Sequence, residues 1–364
     1  MEMKFSKLNK RQEAVLDLID KRFKISVSGI VLNLEEKFPK ASKITVIRDL
    51  NQLLKFNLIS RIGKGRSVVY QLSNQYNLLK PIDVDKYFKI GPDQREAKKS
   101  FNFKIADTLK NIFIADEEQH LNRLALEYQK NIKKLPEINF KREFERLVIE
   151  LSWKSSAIEG NTYTLLETEF LIKQNKEAQG HKKEEAVMIL NHKRTLDYIR
   201  KNPVTFKKIT VSKLEDVHFL LTKDLKISRG LRKSPVGITG TAYRPLDNVF
   251  QIREALEKTC KIVNQEKNIF AKAIVLMAMV AYIQPFDDGN KRTGRLVANA
   301  ILMAYNNCPL SYRSVNEEEY KKAVILFYEQ NNISYFKELF IEQLEFAVKN
   351  YFLGYVQKNY GGEI

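Results

Sequence analysis

Two apolar stretches separated by a polar dozen constrain this chain more than anything else in its 364 residues. Residues 270–282 are apolar except for Lys272, and residues 296–303 are apolar except for Asn299. A helix that is apolar on every face demands burial, and neither run reaches the roughly 18 residues of a membrane span. The fold must therefore surround two central helices with others. Between them lies Gln284-Pro285-Phe286-Asp287-Asp288-Gly289-Asn290-Lys291-Arg292-Thr293-Gly294-Arg295.

A loop that ends one buried helix and opens the next offers unbonded N–H groups at the positive end of a helix dipole. Gly289 lets a ligand approach the chain closely, and Asn290 tolerates left-handed backbone angles. Arg292 and Arg295 are three apart and share a helix face beside those groups. Asp288 supplies the hard oxygen that Mg2+ takes when phosphates fill its other positions. These residues read as a site for a nucleotide polyphosphate with a metal, built from Asp288, Gly289, Asn290, Lys291, Arg292, Gly294 and Arg295. The alternative is a polar helix connection whose arginines pair with nearby carboxylates.

The run resembles the signature of the Fic (Fido) family, H-x-F-x-[D/E]-G-N-[G/K]-R-x-x-R, at every defining position but the first, where this chain has Gln284. The resemblance implies a mostly helical fold and an adenylyltransferase reaction, in which AMP moves from Mg-ATP to a Tyr, Thr or Ser hydroxyl of a protein. It places Gln284, Asp288, Asn290, Arg292 and Arg295 at catalytic positions, with Asp288 as the Mg2+ ligand and ATP as the nucleotide. The family's histidine is a general base, a task that suits an imidazole near neutral pH. Gln284 has no basic lone pair, and a general base typically contributes about 10²–10⁴-fold in rate. Transfer is therefore expected to be weak or absent. The chain's four histidines, His120, His181, His192 and His218, all fall in helical patterns and read as surface or capping residues.

Two further segments fit the same resemblance. Ser155-Ser156-Ala157-Ile158-Glu159-Gly160 resembles the family's inhibitory motif, which implies a brake in which Glu159 pairs with Arg295 and blocks productive ATP. Ser155 and Glu159 are four apart, on one helix face. By itself the stretch also reads as a helix ending at a Gly160 cap. Residues 229–246, with three glycines and two prolines, predict a short β-hairpin. It resembles the Fic flap, which lies over the site and pairs with the target's extended chain, implicating Thr239, Gly240, Thr241 and Tyr243. An ordinary surface hairpin is the alternative.

The front of the chain differs. Helical patterns at 8–20, 28–38 and 42–57 precede an alternating strand–turn–strand around Gly63-Lys64-Gly65-Arg66. The order resembles a winged helix-turn-helix, which implies DNA contacts from Ser42, Lys43, Thr45 and Arg48 on the third helix and from Arg61, Lys64 and Arg66 on the wing. Residues 1–75 hold 15 Lys/Arg against 7 Asp/Glu, a net +8 of the chain's +18, which suits phosphate contact. Protein docking is the other use of such a module.

The expected organisation is mostly α: a winged helix-turn-helix over 1–75, a helical connector over 76–142 and a Fic domain over 143–357 with a β-hairpin flap. Connector helices either brace the Fic core or form a homodimer contact. Two cysteines give neither a disulfide framework nor metal spacing, and the first residues carry no apolar leader, so a cytoplasmic setting without membrane contact is expected. Partners are then ATP, a protein target that includes the chain itself, and DNA. Competing readings are a non-catalytic nucleotide-sensing regulator and a de-AMPylating hydrolase that uses Glu159.

Overall fold

The computed structural model describes residues 8–353, so the expected leader-free start (1–7) and the last residues of the expected third domain (354–357) lie outside the described residues. By internal contacts the chain divides into one unit of residues up to 81 with 111–116, and another of residues 82–110 with the chain from 117 onward.

The first unit opens with α1 (Lys10–Arg22), α2 (Val27–Leu34) and α3 (Lys43–Lys55). Each start is capped by a side chain: Asn9 with a reciprocal contact from Gln12, then Ser26, then Ser42. Val15, Leu16, Ile19, Ile30, Val46, Leu50 and Leu53 form the buried faces of these helices. Strands β1 (Ile59–Ile62) and β2 (Val69–Leu72) pair antiparallel, with Ile59 opposite Leu72 and Ile62 opposite Val69. Ile25 extends the ribbon by exchanging backbone hydrogen bonds of 3.0 and 2.8 Å with Tyr70. α4 (Asn74–Leu79) follows. Gly63 makes the ribbon's turn at φ +86°, where a Cβ would sit 2.6 Å from the Ser67 carbonyl oxygen.

The remaining helices are α5 (Val84–Phe88), α6 (Ile105–Thr108), α7 (Ala115–Lys134), α8 (Glu137–Ala157), α9 (Leu165–Gln174), α10 (Lys183–Lys201), α11 (Val211–Thr222), α12 (Val249–Gln265), α13 (Ile269–Ile283), α14 (Asn290–Ala304), α15 (Glu317–Gln330) and α16 (Ser334–Asn350). The apolar runs become α13 and α14, packed side by side and enclosed by α8, α10, α11, α12 and α15. Every residue from Phe270 to Ile283 is buried. Even Lys272 bends its ammonium back to the carbonyls of Val263 and Asn264, at 2.9 and 3.3 Å. Gly294 sets the spacing, because a Cβ there would lie 3.2 Å from the Met277 carbonyl oxygen. Gly294 thus has a packing role, with its open side facing a neighbouring helix.

The hairpin expected over 229–246 does not form, and among the described residues the paired strands are those of 59–72. Buried Arg232 supplies the reason. Its guanidinium donates to the Gln284 oxygen at 2.6 Å, to the Ser234 oxygen at 2.7 Å and to the Leu246 oxygen. Its backbone N–H goes to Pro285 at 3.0 Å. One side chain thus takes carbonyls that a ladder would use, while Pro235 and Pro245 lack the N–H a ladder needs. The segment keeps a turn at Thr239–Gly240, and Arg244 bridges in parallel to Ser100.

Replacing Gly63 with Ala should destabilise the first unit by about 1–3 kcal/mol, through the left-handed angle and the carbonyl clash. Hydrogen exchange across residues 59–72 measures it, with faster exchange expected there and unchanged protection in α13.

Candidate functional site

The loop between α13 and α14 is held by its own side chains. Gln284 caps α13 in a left-handed conformation at φ 51°, and Gly289 repeats the reversal at φ 77° before α14. Asn290 is not the left-handed residue; it is the first helical residue and acts as a clasp. Its amide nitrogen donates to Gln284 Oε1 at 2.9 Å and to the Phe286 carbonyl at 2.8 Å, and its oxygen accepts from the Phe286 N–H at 2.8 Å. The Gln284 amide nitrogen donates to the Ala281 carbonyl at 2.7 Å and to the Tyr328 hydroxyl at 3.3 Å. Gln284 is therefore engaged by a donor on one side and by two acceptors on the other.

His218 supports the loop from α11. Its ring lies flat on Phe286, with centroids 3.8 Å apart, and Nε2 donates to the Asp288 carbonyl at 2.9 Å. Burial pushes its pKa down to about 4, so the ring is neutral at pH 7. His218 and His192 are both fully buried, against the expectation of surface or capping roles. A histidine on the apolar face of a helical pattern carries no further signal in sequence, which is why neither stood out.

Arg295 is wholly buried. Nε donates to Ser155 Oγ at 2.9 Å; Nη2 donates to the Ser155 carbonyl at 2.8 Å and to Glu159 Oε1 at 2.9 Å. The guanidinium also lies over the Tyr320 ring, 5.1 Å from its centroid. Ser155 Oγ in turn lies 3.0 Å from His192 Nε2, whose other nitrogen is 3.0 Å from the Met188 carbonyl. Burial holds His192 near pKa 3. The neutral ring then donates from Nδ1 to Met188 and accepts the Ser155 proton at Nε2. Lys291 takes the second Glu159 oxygen at 2.9 Å, a partner the sequence did not single out. Burial pushes the Glu159 carboxyl up, but Arg295 and Lys291 outweigh it and hold the pKa at about 2.

Arg292 donates to Asp288 at 2.8 Å, and its Nη1 is buried with no hydrogen-bond partner among the described residues. Asp288 points outward, its side chain 68% exposed. A cavity of about 360 Å³ opens here, lined by Glu159, Gln284, Asp287–Lys291, residues 236–239 and, on α15, Lys321, Val324, Ile325 and Tyr328. Thr239 thus reaches the cavity, while Arg292 and Arg295 stand behind its wall. Of the other expected flap residues, Gly240 accepts from Arg95 at 2.5 Å through its carbonyl, and the Thr241 hydroxyl accepts from the Tyr243 N–H at 3.1 Å. Tyr243 is a correction. It is buried and donates its hydroxyl to the Tyr282 carbonyl at 2.8 Å, so it is core and does not face a target.

Residues 208–302 match the model of the Fic/DOC family. This Fic-matching stretch contains α11, the flap segment, the loop and most of α14; Ser155 and Glu159 lie outside it. A probable protein adenylyltransferase from Aquifex aeolicus is 30% identical over 106 residues, 29% of this chain and 32% of that protein. Protein adenylyltransferase Fic from Nematostella vectensis is 27% identical over 190 residues, covering 50% of this chain and 43% of its own. The chain thus spans less than half the length of these curated relatives. Fic-1 from C. elegans shares the fold at TM-score 0.57 and 15% identity, over 93% of this chain and 95% of that one. The family match covers residues 208–302, and the likeness to the solved structure is one of fold. No helix among the described residues is long and apolar enough to cross a membrane.

The depressed Glu159 pKa has a definite sign. A carboxyl lowered from 4.5 to about 2 adds stability in full above pH 4.5 and loses it as pH falls toward 2. Between pH 4.5 and 3 the wild type should lose up to about 1.4 kcal/mol per pH unit more than Glu159→Gln. Thermal unfolding of both proteins across that range measures the difference.

Proposed function

We propose that the second unit is a nucleotide-binding Fic core that takes ATP with Mg2+, is braked by Glu159, and transfers AMP feebly or not at all. The carrying observation is the cavity, which joins the loop, residues 236–239 and Glu159 around one space. The residues fit a polyphosphate: Arg292 retains a buried, unbonded N–H, and no side chain caps α14, whose first residues follow the left-handed Gly289. Bound there, ATP with Mg2+ would supply the AMP group and the metal's charge. Lys291 and the start of α14 would hold phosphate, and Asp288 the metal.

Glu159 engages both Lys291 and Arg295, so the cations a phosphate needs are already neutralised. That arrangement supports a brake over a water-activating base, since each carboxylate oxygen is held by a cation. Gln284 has its amide engaged on both sides and cannot take a proton from a target hydroxyl. The lock on Gln284 favours, as the second reading, a nucleotide sensor that performs no transfer.

For the first unit we propose a winged helix-turn-helix that binds DNA. Lys43, Arg48, Arg61, Lys64 and Arg66 are all exposed on α3 and the ribbon. Ser42 has a different job, since its hydroxyl caps α3 by accepting from the Thr45 N–H at 3.3 Å.

Transfer of label from α-labelled ATP with Mg2+ onto protein tests the core. Wild type and Glu159→Gly should label weakly or not at all, and Glu159→Gly/Gln284→His should exceed Glu159→Gly by about 10²–10⁴-fold. Equal labelling by the single and double variants would remove Gln284 as the deficit. Absence of ATP binding in Glu159→Gly would remove the nucleotide site. For the first unit, Lys64→Ala/Arg66→Ala should weaken DNA binding and reduce the salt slope by about 2.

A further inference from the structure

The solvent face of α3 carries more than charge. Ile44, Ile47, Arg48, Asn51 and Lys55 fall at i, i+3, i+4, i+7 and i+11 and form a single outward stripe. Ile44 is 65% exposed and Ile47 37% exposed, while Val46, Leu50 and Leu53 fill the inward face completely. The core of the unit therefore does not use the two isoleucines. Nor does the stripe carry an acid. The helix's one carboxylate, Asp49, is buried and held by Arg11 at 2.5 and 3.2 Å and by Gln12 at 3.3 Å. What remains outward is cations, an amide and two β-branched apolar side chains.

An occupant that matches this face must be anionic throughout and yet present small apolar groups at intervals. A DNA major groove does so: phosphates line it, and each thymine projects a C5-methyl from its floor. We infer that Ile44 and Ile47 are specificity-determining residues that contact thymine methyl groups, with Arg48 and Asn51 beside them on the same stripe. The inference rests on the DNA-binding reading of the first unit and adds which bases it prefers. Lys43 and Lys55 hold phosphate whatever the sequence, so they set affinity, and the isoleucines set the preference for A·T pairs at their positions.

Replacing thymine by deoxyuridine removes the methyl and nothing else. The full-length protein is first used to enrich its own site from a pool of random duplexes, and each thymine of that site is then replaced singly by deoxyuridine. The wild type should lose about four-fold in affinity at each contacted position, the value of one buried methyl. Ile44→Ala/Ile47→Ala should be indifferent to the same replacements and keep the wild-type salt slope. Ile47→Val should retain part of the sensitivity. A wild type indifferent to deoxyuridine everywhere would overturn the inference while leaving DNA binding intact, and would assign the stripe to a protein partner. Equal loss in wild type and double variant would also overturn it. A wild type that binds no duplex at all would overturn the DNA reading and the inference together.

Discussion

Arg295 places a full positive charge at a position with no solvent exposure, and the architecture around it is what makes that position tenable. A buried guanidinium without partners would be prohibitively costly. Here Ser155 offers it a hydroxyl and a carbonyl, Glu159 a carboxylate and Tyr320 a ring face. Those groups come from α8, the turn that follows it and α15, so satisfying a single side chain of α14 draws three helices to one point. His192 extends the network outward by fixing the Ser155 hydroxyl, which leaves that oxygen's acceptor side to Arg295. The contacts that make the buried charge tenable therefore occupy the guanidinium of Arg295 from several sides.

The loop shows a similar economy. Asn290 and Gln284 hydrogen-bond each other, and the Phe286 backbone closes the ring. Phe286 then inserts beneath the loop and stacks on His218, which anchors the loop to α11. A glutamine suits this role because it has both a donor and an acceptor to spend on neighbours. For proton abstraction those same bonds are a handicap, since they fix the amide without giving it basicity. The residue that departs from the signature thus has a structural role that is fully accounted for.

Much of this was legible in the chain. The apolar runs required two buried helices, and α13 and α14 are those helices. The S-x-x-x-E spacing predicted Ser155 and Glu159 on one helix face; α8 ends at Ala157, so Glu159 lies in the turn beyond it, yet both meet Arg295. Periodicity gave the three front helices, and alternation around Gly63 gave the ribbon. These features depend on local rules: helical period, strand alternation and turn chemistry act within a few residues. The hairpin expected over 229–246 failed for a non-local reason, because Arg232 takes its carbonyls and reaches Gln284 and Leu246 to do so.

What only the tertiary structure decided is which side chains the buried charges recruit. The sequence by itself determined the loop's composition, the burial of the two helices that flank it and the absence of a base at Gln284. It did not determine that Lys291 shares Glu159 with Arg295, that His192 and His218 sit neutral in the interior, or that Gly294 and Tyr243 belong to packing. Nor did it show that α3 turns two isoleucines outward while hiding its single acid. The physical reason is common to all of them. Backbone periodicity is set between neighbours in the chain, whereas desolvated charges and donors are satisfied by whatever partner the packed helices bring within about 3 Å.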